Sequence, residues 1–176
     1  NRDHRKITVI DGKVAYTGGA NLADEYINLY EKHGYWKDAS IKITGDAVWS
    51  LTLIFLSMWA AINNTDEDFA LYAPNPDITS ESESDGFVQP YADSPLDKEN
   101  VGEHVYLHII QNAQKYIYIN TPYLIVDETM LSELKLAAKS GVDVRIITPG
   151  VYDKLLVHIT TRSFYRELLA AGIKIY

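Results

Sequence analysis

Ile7-Thr8-Val9-Ile10 and Lys13-Val14-Ala15-Tyr16 are two short runs of alternating character separated by Asp11-Gly12. Alternation with period two marks half-buried strands, and Asp-Gly is a preferred two-residue type I′ hairpin loop. That loop predicts Ile10 opposite Lys13, Thr8 opposite Ala15, Lys6 opposite Thr17 and His4 opposite Gly19. A helix is expected from about Leu22 to Tyr30, N-capped by Asn21, then a strand over Ala39–Ile43. The stretch from about Asp46 to Ile62 is apolar nearly all round, with Trp49, Leu53, Phe55, Leu56 and Trp59. It is too short for the roughly 20 apolar residues that cross a bilayer, so it reads as a helix buried between layers.

The second half alternates strand with helix. Phe87-Val88-Gln89 reads as a short strand, Lys98–Gln114 as a helix and Tyr116–Ile119 as a strand ended by Thr121-Pro122. Glu128–Lys139 reads as a helix stopped by Gly141. Val142–Thr148 then reads as a strand, Tyr152–Ala171 as a helix before Gly172, and Ile173–Tyr176 as a last strand. Such alternation predicts an α/β fold: a mixed, largely parallel sheet flanked by helices on both faces. Ligands of such sheets bind beyond the carboxyl ends of the strands. Tyr123 and Lys154, near those ends, are candidate substrate-lining residues, although ordinary loop residues would look the same.

Charge is unevenly distributed. Residues 1–63 hold seven basic and seven acidic residues, 64–100 one basic and ten acidic, and 101–176 eight basic and seven acidic. The net charge of −8 therefore belongs to the middle. Residues 64–85 have the composition of an acidic linker, between a first part at 1–63 and a second at 86–176. No strongly basic footprint speaks for nucleic acid, and no nucleic-acid partner is expected. The chain has no cysteine, which excludes disulfides and thiolate metal sites.

The chemistry concentrates at the start. His4, Lys6 and Asp11 spell His-x-Lys-x-x-x-x-Asp, and Gly18-Gly19-Ala20-Asn21 follows. In the expected register His4, Lys6 and Thr8 share one face with Thr17, Gly19 and Asn21, while Ile7 and Val9 point to the apolar side. Asn21 then lies diagonally from His4. Imidazole, ammonium and carboxamide around a glycine would form a phosphate cradle. Asp11 is explained by the turn alone, and Gly18-Gly19 could simply end a strand.

These residues resemble the HKD signature of the phospholipase D superfamily. HRKITVIDGKVAYTGGANLADEY at 4–26, Trp36-Lys37-Asp38, TPYLIVDE at 121–128, SGVDVRIITPG at 140–150 and RSFYRELLAAGIKIY at 162–176 resemble bacterial cardiolipin synthases. The likeness covers nearly the whole chain outside 64–85. Family members have two similar lobes, each with one HKD signature, preceded by membrane segments. The chain carries one signature, and resembles the closing half of a first lobe joined to the opening half of a second. The two halves could combine into one permuted lobe with a single sheet.

The resemblance implies a membrane enzyme facing the cytoplasm, with the excised piece itself soluble. It implies transfer of a phosphatidyl group between two phosphatidylglycerol molecules through a phosphohistidine, giving cardiolipin and glycerol without metal or cofactor. His4 would be the nucleophile, Lys6 and Asn21 would bind the phosphate, and Asp38 is the candidate that orients the imidazole. Asp11 belongs to the signature with a structural role expected. The piece alone should be inactive as a monomer, and a symmetric homodimer pairing two His4 side chains could rebuild a site. A hydrolytic phosphodiesterase or nuclease of the same superfamily, and a non-catalytic α/β binding module, are the competing readings.

Overall fold

The computed structural model describes residues 3–74, 86–94 and 98–176. It contains two compact units, Asn1–Glu99 and Asn100–Tyr176.

In the first unit β1 (Ile7–Ile10), β2 (Val14–Gly18) and β3 (Ser40–Thr44) form an antiparallel sheet in that order. The hairpin register differs by one from the expected: Ile10 pairs with Val14, Val9 with Ala15, Thr8 with Tyr16 and Ile7 with Thr17. Asp11 (φ 52°) and Gly12 (φ 65°) take the left-handed turn geometry, and Lys13 N–H donates to Ile10 C=O at 3.0 Å. Lys13 then stays out of the ladder as one extra residue. The hydrophobic face explains this. Val9 pairs with Ala15 and Ala15 with Ile43, so one apolar row crosses all three strands. A slip of one would set Thr8 in that row.

Helix α1 (Ala47–Asn63) packs on this row through Val48 and Leu51, which join Ala15 and Ile43 in one buried cluster. Only one side of α1 is covered; Phe55, Trp59 and Ile62 are exposed, which corrects the expectation of a helix buried between layers. Among the described residues no helix is long and apolar enough to cross a membrane. The helix expected over Leu22–Tyr30 shrinks to a 3-10 turn at Asp24–Ile27, capped by Ala23 and not Asn21. Leu22, Ile27 and Leu29 are exposed there, so no buried apolar face offsets the cost of nucleating a longer helix. Within the acidic connector Phe69–Tyr72 forms another 3-10 turn, capped by the Asp68 carboxylate on Ala70 N–H at 3.0 Å. The remaining connector, residues 75–85, lies outside the described residues.

The second unit runs α2 (Val101–Asn112), β4 (Tyr116–Asn120), α3 (Glu128–Lys139), β5 (Asp143–Ile147), α4 (Leu155–Ser163), α5 (Tyr165–Ala170) and β6 (Lys174–Ile175). The sheet is parallel, in the order β4-β5-β6. Residues 87–90 form no strand, and the last long helix is two, broken at Phe164. Asp127 caps α3 by accepting Met130 N–H at 2.8 Å, and Gly141 leaves it with φ 96°. Leu131, Leu134 and Leu168 from the helices meet Ile117, Val144 and Ile146 from the strands in one core. The alternate strand residues Tyr116, Tyr118 and Ile147 are exposed. The described helices thus cover one face of this α/β sheet where both were expected. The two sheets are also separate. A single sheet built from both halves does not form, because each half closes its own three-stranded core.

Candidate functional site

His4 and Lys6 precede β1, outside the paired ladder. The Lys6 ammonium turns back on the histidine: Nζ lies 2.9 Å from His4 Nδ1 and 3.4 Å from Nε2, and donates to His4 C=O at 2.6 Å. A cation and a nucleophilic ring thus share one small volume. Asp3 and Arg5 flank them as an ion pair at 2.6 Å. The Arg5 guanidinium holds the Asp3 carboxyl below its ordinary value, so neither charge competes for Lys6.

Gly19 accommodates a second carboxylate. A Cβ there would fall 2.4 Å from Asp38 Oδ1, and Gly19 N–H donates to Ala39 C=O at 3.2 Å. Asp38 Oδ1 also accepts Ala39 N–H at 2.7 Å. Gly18 is equally constrained, since a Cβ would meet Ala39 O and Ser40 Oγ at 2.4 Å. The Gly-Gly pair is therefore required by close approach of the segment leading into β3, beyond merely ending a strand.

Asn21 is placed by different contacts from those the hairpin register predicts. Its Nδ2 donates to the Tyr26 hydroxyl at 2.6 Å, and the Tyr26 ring lies 4.8 Å from that of Trp36. Asn28 then clamps Trp36: its Nδ2 donates to Trp36 C=O at 2.9 Å, and its Oδ1 accepts Trp36 N–H at 2.7 Å. Two residues later comes Asp38. One chain of contacts therefore fixes the loop that carries both Asn21 and Asp38. Sequence reasoning missed Tyr26 and Asn28; the aromatic pair around a polar loop was the available signal. Asp11 sits in the hairpin turn, where its positive φ serves the chain reversal.

In the second unit Tyr123 and Lys154 do come together, with the ammonium 5.2 Å from the ring centroid. Tyr123 O–H donates to Asp153 Oδ2 at 2.5 Å. Pro122, Pro149, Tyr152 and His158 complete the small concavity around them, at the carboxyl ends of β4 and β5 as parallel sheets favour. His158 was overlooked, although it lies four residues after Lys154 at the start of a helix.

An imidazole under an ammonium, with a carboxylate wedged against a side-chain-free glycine in the same unit, supplies the groups of phosphodiester chemistry. Comparison with known proteins adds a likeness at the level of the chain. Residues 106–176 match the family described as cardiolipin synthase, PLD-like domain. A cardiolipin synthase of Halalkalibacterium halodurans is 41% identical over 175 residues, 99% of this chain and 34% of that protein. One from a Geobacillus species is 42% identical over 178 residues, again 99% of this chain and 34% of its own length. An uncharacterized protein of Streptococcus mutans is 51% identical over 175 residues, 99% of this chain and 37% of that protein. Residues 106–176 are thus PLD-like, and the sequence is similar throughout to bacterial cardiolipin synthases. It spans about a third of the length of these relatives.

Proposed function

We propose that the chain is the central part of a phosphatidyltransferase that makes cardiolipin from two phosphatidylglycerol molecules. The observation that carries this is the Lys6 ammonium seated 2.9 Å from the His4 ring, in a chain similar to cardiolipin synthases over 99% of its length. In the reaction His4 attacks the phosphorus of one phosphatidylglycerol. The P–O bond to glycerol breaks, the glycerol oxygen takes a proton from an acid on the other lobe, and a phosphatidyl-histidine remains. A hydroxyl of the second phosphatidylglycerol loses its proton to that same group and attacks phosphorus. The P–N bond breaks, leaving cardiolipin and free His4.

Each residue's role follows from its chemistry. Imidazole titrates near neutrality and can serve as nucleophile. A phosphate oxygen entering beside His4 would draw the Lys6 ammonium off the ring, where it neutralises charge building on the non-bridging oxygens. Asn21 contributes a carboxamide donor, and Asp38 orients the imidazole. Tyr123 and Lys154 line the path of the substrate, and Asp11 keeps the hairpin turn. We read the two units as parts of successive lobes, the first ending near residue 63 and the second beginning near 86. The second signature would come from outside this chain. The protein of the relatives' length works at the cytoplasmic face of the cell membrane on phosphatidylglycerol.

The chain alone, holding one half of an acid–base pair, is inactive as a monomer, at a loss of at least about 10²-fold; a symmetric dimer that pairs two His4 rings could recover part of this. The test is product analysis of the full-length protein on phosphatidylglycerol, beside a His4→Ala variant of unchanged fold. Cardiolipin from the parent and none from the variant is expected. Phosphatidic acid as sole product would make it a hydrolase, and an unaffected variant would remove His4 from the chemistry.

A further inference from the structure

Helix α4 carries its side chains the wrong way round for a helix facing water. Thr161, a polar residue, is its most buried position at 2% exposure, where its hydroxyl accepts Leu124 N–H at 3.1 Å. On the outer side Leu155, Leu156 and Ile159 are exposed at 53%, 78% and 56%. With 100° per residue, Ile159 points almost directly away from Thr161, flanked by the two leucines. Val151, in the loop before the helix, is exposed as well. Along one flank of this strip His158 and Arg162 are neighbours at helical spacing, and Lys154, the extended residue that precedes α4, adds a further cation at its start. No acidic residue occurs between 154 and 163. The adjacent Asp153 is engaged by the Tyr123 hydroxyl, and the exposed Tyr152 ring leans on His158 at 5.4 Å.

We propose that α4 and the loop leading into it form a membrane-docking element. Leu155, Leu156 and Ile159 enter the headgroup–acyl boundary of a bilayer, and Lys154, His158 and Arg162 meet the anionic headgroups. An outward apolar strip beside a basic flank is the pattern of helices that lie in the membrane interface. Residues 101–176 hold eight basic and seven acidic residues in all, so within this unit an anionic surface is drawn to the stretch of α4 that carries cations and no acid. Nucleic acid would satisfy the cations but leaves the leucines in water. The concavity at Tyr123 and Lys154 lies at the foot of the same helix, so docking would bring headgroups to the end of the parallel sheet. The inference rests on the phospholipid reading for its ligand and adds the surface that meets it.

The test is co-sedimentation of the 176-residue chain with vesicles of phosphatidylcholine, with and without phosphatidylglycerol. Binding is expected only where phosphatidylglycerol is present. Removing Lys154 and Arg162 as K154Q and R162Q should weaken it about fivefold per cation and abolish most of its salt dependence. The Leu155→Ser, Leu156→Ser double variant should weaken it about tenfold or more. Because that change could disturb packing, Ser163→Glu, on the same outer face, is the second probe, with circular dichroism as the check on folding. Equal binding of parent and variants, or no binding to anionic vesicles, overturns the proposal. So does preference for nucleic acid over vesicles, or a self-association lost in Leu156→Ser without any vesicle binding. His4→Ala should sediment like the parent. Vesicle binding without cardiolipin synthesis by the full-length protein would therefore defeat only the transferase reading, and synthesis without α4-dependent binding only this one.

Discussion

The space beside the Cα of Gly19 is occupied by the Asp38 carboxylate, so a single methyl group there has a defined consequence. In Gly19→Ala the new Cβ would fall 2.4 Å from Asp38 Oδ1. The carboxylate must move, and under the role proposed for Asp38 a displacement of about 1 Å can cost ~10² in rate. Steady-state transfer by the full-length protein should show that loss in kcat with little change in fold. Lys6→Gln removes the cation but keeps the length, and should cost about 10²–10³ in kcat, as loss of a transition-state donor does. At the far end of the chain Asp143 receives Arg145 at 2.7 Å and Lys174 at 3.0 Å, with the Tyr118 hydroxyl also donating to it at 3.0 Å. Arg145 first, then Lys174, hold its carboxyl far below the usual carboxylate range. A depressed carboxyl contributes stability that is present above its unfolded value and lost as pH falls towards the folded one. Asp143→Asn should therefore be less stable than the parent at neutral pH. The gap between their melting temperatures should begin to narrow once the medium is more acidic than an ordinary aspartate's pKa, and go on narrowing as the pH falls towards the depressed value; a gap independent of pH would contradict the assignment.

Among the elements, α3 was legible in its bounds: the stop at Gly141 acts within one turn of the chain, and the observed span Glu128–Lys139 is the expected one. Leu134, 1% exposed in the core, should cost about 2–5 kcal/mol when truncated to Ala, measurable by denaturant unfolding. The hairpin was legible as an element but not in register. Asp11-Gly12 does make the turn, yet the apolar row Val9–Ala15–Ile43 decides the pairing, and Ile43 lies too far along the chain for local turn rules to weigh. The segment 22–30 shows the converse: good helix formers without a surface to bury against yield one 3-10 turn. The reversed polarity of α4 was also hidden, because spacing shows that two faces exist but not which one packs.

For the whole molecule, the contact between His4 and Lys6 was readable because the pair lies only two residues apart. The surroundings of Asn21 and Asp38 were not, because they depend on Tyr26, Asn28 and Trp36 meeting across a loop. The architecture was readable as α/β, while the separation into two sheets depends on each half closing its own core. A parallel sheet with Tyr116 and Tyr118 exposed on one side also departs from the usual burial of both faces. The central claim, covalent transfer through His4, is tested most directly by acid-free quenching of full-length enzyme during turnover on phosphatidylglycerol, followed by peptide mass spectrometry. A phosphatidyl adduct on the peptide containing His4, absent from His4→Ala, is the predicted result. Cardiolipin formed at full rate with the adduct only on another residue would contradict it.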